Sequence, residues 1–96
     1  MTNTNNIAVG LCASRHSMPV SGYIFPETVD PMAFDAMEQT VSDFIASEGV
    51  KSLVVYVTGL TAATAAVIKV CAAQGIGLTL MHYNRETGEY VPQKIF

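Results

Sequence analysis

Charge is scarce in this chain. Only 14% of its 96 residues are Asp, Glu, Lys or Arg, and eight acidic against five basic side chains leave a net charge of −3. That balance excludes a protein that coats duplex nucleic acid, which needs a broad basic surface, but it leaves room for a local basic site. Long apolar runs are missing too, and no stretch approaches the roughly 20 uninterrupted apolar residues of a membrane span. Residues 1–6, Met-Thr-Asn-Thr-Asn-Asn, have neither the basic nor the apolar part of a signal peptide, so a cytoplasmic protein with a frayed, disordered leader is expected. Cysteine is limited to Cys12 and Cys71, both within apolar runs, which reads as buried thiols in a reducing compartment. Their spacing matches no zinc site, and with two histidines in the chain no metal and no cofactor is expected.

Apolar side chains are plentiful, at 50% of residues with a mean hydropathy of +0.34. Disorder is thereby excluded. The length allows one domain, spanning 7–96, that buries roughly 60–65% of its unfolded surface. Self-association is the simplest outlet for the surplus.

Residues 7–13, Ile-Ala-Val-Gly-Leu-Cys-Ala, read as a first strand. A Ser-, Pro- and Gly-rich connection follows from Ser14 to Val29, within which Tyr23-Ile24-Phe25 can add a short extended stretch ending at Pro26. Asp30-Pro31 is the expected helix start. Phe34, Met37, Val41, Phe44 and Ile45 recur at helical spacing, and Gly49 supplies the stop. Leu53 to Val57 is a run of the kind found in strands buried on both faces. A second helix is expected over 62–74, closed by Gly75. Six alanines surround Val67, Ile68, Val70 and Cys71 there, with Lys69 as its only charge. A helix apolar nearly all round is buried on more than one side, and one of those sides is expected to be a second copy of the chain. Gly77–Tyr83 reads as a third strand, 84–88 as a turn, and 89–91 with 94–96 as an antiparallel return that Pro92 interrupts at a sheet edge. The order β-α-β-α-β-β predicts a small α/β domain of Rossmann-like type, with three parallel strands and a C-terminal antiparallel strand.

In such a sheet the ligand site lies outside the carboxyl ends of the parallel strands. Three segments are expected to meet there: Ser14-Arg15-His16-Ser17, Thr58-Gly59-Leu60-Thr61, and His82-Tyr83-Asn84-Arg85. Both arginines and both histidines of the chain fall at this edge, while Lys51, Lys69 and Lys94 fall elsewhere. The second segment opens a helix, whose free N–H groups and dipole suit a phosphate. Gly59 allows close approach to backbone, and arginine grips phosphate oxygens in a fork. An anionic, phosphate-bearing small ligand suits this edge.

Each residue also has a plain structural role open to it. Thr58 or Thr61 can simply cap the helix, Gly59 can serve the turn, and His82 can be a half-buried imidazole. Arg85 with Glu86 can be a solvated pair worth under ~1 kcal/mol. The tyrosines 23, 56, 83 and 90 more often fill cores than stack on ligands. Convergence carries the case. For catalysis there is no G-x-S-x-G, no Walker loop and no paired-carboxylate spacing. What remains is acid–base work by His16 or His82, with Arg15 or Arg85 stabilising charge and Ser14 or Thr61 lending a hydroxyl. That set suits metal-independent phosphodiester cleavage, in which an RNA 2′-hydroxyl attacks its own phosphate.

Strand–Thr58-Gly59-Leu60-Thr61–helix–strand–Tyr83-Asn84-Arg85-Glu86-Thr87-Gly88 resembles the small CRISPR-associated ring nucleases and the related CARF-like sensor domains. Arg15-His16 is similar to the basic loop of several short ring-nuclease families. The resemblance covers 50–96 and, more loosely, the first strand. It implies a CARF-like fold and a homodimer that binds a cyclic oligoadenylate across its two-fold axis in anti-phage defence. Members cleave that messenger, and some relatives only sense it. Asn84 stands where some members carry an acid, so a catalytic carboxylate is absent there, with Glu86 as a candidate substitute. Three readings result: a ring-nuclease-like enzyme, a sensor or sponge that holds the messenger intact, and an interaction module whose apolar helix docks a larger partner.

Overall fold

A computed structural model describes residues 6–11, 20, 22–25, 30, 32–57 and 61–96 of the chain. Four strands and two helices follow in the order β1 (Asn6–Gly10), α1 (Phe34–Glu48), β2 (Ser52–Tyr56), α2 (Thr61–Gln74), β3 (Gly77–Asn84) and β4 (Glu89–Lys94). They form a small α/β domain with one mixed sheet, ordered β1-β2-β3-β4. The first three strands are parallel and β4 is antiparallel to β3.

The register sorts the side chains into two faces, because neighbours along a strand point opposite ways. One face carries the cross-strand rows Ile7–Leu53–Leu78 and Val9–Val55–Leu80. All but the half-buried Ile7 are buried, in one core cluster with Met37, Val41 and Ile45 of α1 and Ala63, Ala66, Val67, Val70 and Cys71 of α2. Both helices thus lie on this face, as two right-handed crossovers running the same way across a sheet require. Across their surface Lys69 pairs with Glu38 at 3.1 Å and Gln74 donates to Ser42 Oγ at 2.9 Å. The other face carries Ala8–Val54–Thr79–Lys94 and Gly10–Tyr56–Met81–Pro92, and no described helix covers it. The run 53–57, expected to be buried on both sides, therefore alternates: Leu53 and Val55 are buried, Val54 and Tyr56 half-buried. Its β-branched composition reflects strand propensity more than two covered faces.

Several boundaries differ from the sequence expectation. Asn6, expected in the leader, begins β1, which ends at Gly10; Cys12 and Ala13 lie outside the described residues. Tyr23 makes a parallel bridge to Gly10, so the short extended stretch lies beside the end of β1 and buries Ile24 and Phe25. Asp30 does not cap α1. Its Oδ1 accepts from the Met32 N–H at 3.0 Å, closing a turn ahead of the helix, and the N-cap is Ala33 with no side-chain bond. Local side chain-to-backbone bonding of this kind competes with capping. Gly49 ends α1 as expected, in the left-handed region at φ 63, with its N–H on Ile45 O. Pro92 does not interrupt β4; it sits inside the strand, at the sheet edge, where a missing N–H is tolerated. No helix among the described residues is long and apolar enough to cross a membrane.

The bulky residues of α2 are accounted for within one chain. Val67, Val70 and Cys71 face the core and Ile68 packs against it, whereas the exposed positions are Thr61, Ala65, Lys69 and 72–74, Ala-Ala-Gln. Alanine on an exposed helix face satisfies helix propensity without needing a partner. Burial pushes the Cys71 thiol up from 9.0 to about 11, so it stays protonated and unreactive at neutral pH.

Candidate functional site

β2 pairs with β3 only as far as Tyr56 opposite Met81, with one further bond from the Val57 N–H to Met81 O at 3.0 Å. β3 and β4 continue together through His82–Val91, Tyr83–Tyr90 and Asn84–Glu89. The hairpin thus projects about 10 Å past the carboxyl end of β2, at roughly 3.3 Å per residue. His82 and Tyr83 are strand residues of this arm, as expected; Asn84, expected in the turn, extends the strand by one residue, and Arg85 opens the exposed turn. Gly88 closes the turn at φ 75, its N–H on Asn84 O at 2.8 Å.

Strand alternation divides the four residues. His82 and Asn84 stand on the helix-bearing side of the sheet and Tyr83 on the open side. His82 Nε2 lies 2.8 Å from Gln93 Oε1. With that oxygen accepting, Nε2 carries the proton and Nδ1 is left as the acceptor of the neutral ring. Asn84 is committed in part to the turn, where its Oδ1 accepts from the Glu86 N–H at 2.9 Å. This is the plain role a side chain amide plays at a turn entrance. Thr61 is the first residue of α2 and is exposed, at the same end of the sheet as the arm. Ser14, Arg15, His16, Thr58, Gly59 and Leu60 lie outside the described residues.

On the open side, Tyr83 meets Tyr90 with ring centroids 5.3 Å apart at 62°, and Tyr90 meets Tyr56 at 4.7 Å and 78°. Both are edge-on geometries of the favourable kind. The three tyrosines form a continuous group running from the sheet onto the arm, and Tyr83 is 55% exposed. Tyr56, Tyr90 and Gln93 were not singled out as site residues in the sequence. The signal was there in principle: alternation along an antiparallel hairpin puts Tyr83 and Tyr90 on one side. It needed the register, which depends on where the turn begins.

Neither a scan of family models nor searches of curated proteins and solved structures gives a match to this chain.

Proposed function

We propose that the carboxyl edge of the sheet binds a cyclic oligonucleotide of the oligoadenylate class, across a homodimer, and cleaves it without a metal ion. The observation that carries this reading is the arm: it sets Tyr83, Asn84 and Arg85 beyond the end of β2, at the end of the sheet where α2 begins. The helix N-terminus and Arg85 together suit a phosphate. His82 is oriented by Gln93, which leaves Nδ1 to take a proton. In the reaction the ribose 2′-oxygen forms a bond to the adjacent phosphorus and its proton passes to the base. The P–O5′ bond breaks, and an acid returns a proton to the leaving oxygen, so that a 2′,3′-cyclic phosphate and a 5′-hydroxyl result. Arg85 stabilises the charge that builds on the phosphate oxygens. This reading keeps the expectations from the sequence that His16 shares the acid–base work, that Arg15 stabilises charge, and that Ser14, Thr58, Gly59 and Leu60 contact the ligand. The Rossmann-like, CARF-like classification and the pairing of two chains through the alanine face of α2 belong to the same proposal.

The amide of Asn84 favours a second reading. No carboxylate replaces it on the arm's helix-bearing side except Glu89 opposite, so the same pocket can hold its ligand intact as a sensor or sponge. Native mass spectrometry with a panel of cyclic oligonucleotides in chelator separates these. A dimer that gains one ligand mass, replaced within an hour by linear fragments, is the expected result. Intact ligand held throughout makes the protein a sensor or sponge, and no ligand at all overturns both in favour of an interaction module.

A further inference from the structure

The two sides of the domain differ in charge as well as in cover. Asp35, Glu38, Asp43 and Glu48 all lie on α1, on the helix-bearing side. On the open side the described strand positions carry Lys94 and no carboxylate, and Arg85 and Glu86 stand at the tip of the arm. In a protein of net charge −3, the described strand positions of the face that holds the tyrosines thus carry no acid. We propose that this open face is the base-reading half of the site, with the exposed ring of Tyr83 stacking on a nucleobase of the anionic ligand. This deepens the reading above and rests on it: the edge takes the phosphate, and the open face takes the base.

Three observations support the assignment. Tyr83 is the most exposed of the three clustered tyrosines, yet it meets Tyr90 in an edge-on contact, and Tyr90 is in turn braced by Tyr56. A ring braced in this way loses little freedom on binding, which favours stacking over a loose surface contact. The Tyr83 hydroxyl lies 4.0 Å from where a Cβ on Gly88 would stand, an ordinary contact distance, so the ring runs along the arm toward its turn. Lys94, in the row next to that of Tyr56, supplies the positive charge that a nucleotide's backbone needs on the same face. An apolar protein partner would gain nothing from this separation of charge.

Calorimetric titration tests the proposal with a cyclic oligoadenylate and with ribose 5-phosphate, which carries phosphate and no base. Wild type is expected to bind the first more tightly. Tyr83→Ala is expected to weaken that binding about 5- to 150-fold while leaving ribose 5-phosphate unchanged, and Tyr83→Phe to restore it, since stacking needs the ring and not the hydroxyl. Upfield movement of the Tyr83 ring protons on binding is the matching spectroscopic sign. Equal affinity of wild type for both ligands, or of Tyr83→Ala and wild type for the oligoadenylate, overturns the base-reading role and leaves the phosphate site standing. Failure of both ligands to bind overturns the proposed function and this inference together.

Discussion

The two faces of one sheet are built from alternate residues of the same strands, yet they do different work. On one, Leu53, Val55, Leu78 and Leu80 are sealed beneath α1 and α2. On the other, Val54, Tyr56, Thr79 and Met81 are only half-buried, and polar or aromatic groups take over toward the arm. A strand that shifted by one residue would exchange the two sets. The covered face therefore holds the register, and the register in turn places Tyr83 on the open side and His82 on the other. Burial is concentrated in one layer, and the surface proposed to meet ligand is its reverse.

Val54 and Val55 sharpen this contrast most, because the same substitution at neighbouring positions isolates the face. Val55→Ala is expected to cost about 2–3 kcal/mol of unfolding free energy, as a fully buried side chain that leaves a cavity. Val54→Ala is expected to cost about 1 kcal/mol or less. Equal losses in urea titrations would mean that the open face is covered in solution, which would break the comparison.

A pH series tests the covered face a second way. The Cys71 thiol is raised in the folded chain, so its contribution is fully present below the ordinary thiol range and is lost as pH rises from about 9 toward about 11. Wild type is expected to lose stability across that window faster than Cys71→Ala, and parallel curves would contradict it. Smaller again is Gly49→Ala, expected to cost about 1 kcal/mol because φ 63 strains any residue with a Cβ, while the space around it is open. The smallest effect is expected from breaking Lys69–Glu38, with the lysine side chain 71% exposed. A double-mutant cycle should give under ~1 kcal/mol for such a pair.

The element order, the parallel core and the C-terminal hairpin were legible in the sequence, because apolar periodicity and glycine stops report local structure directly. Gly49 and Gly75 end their helices where expected, both with positive φ. Asp30 misled because an aspartate can close a turn as readily as it caps a helix. The Val-rich β2 misled because composition cannot tell a strand covered on both faces from one covered on a single face. At the site, the sequence brought His82, Tyr83, Asn84 and Arg85 to one end of the sheet, and the structure keeps them there. It could not show that alternation sends His82 and Tyr83 to opposite sides, nor that Gln93 and Tyr90, across the hairpin, are their partners. Those contacts cross one hairpin, and its register, set by where the turn begins, is what the local pattern leaves open.

The most direct test of the account is amide and side-chain shift mapping by NMR, with a cyclic oligoadenylate added to the isotopically labelled protein. The account predicts perturbations centred on Tyr56, Tyr83, Arg85, Tyr90 and Lys94 and on the first turn of α2, with the acidic face of α1 unmoved. Perturbations confined to α1 and the outer face of α2, or none at saturating ligand, would contradict it.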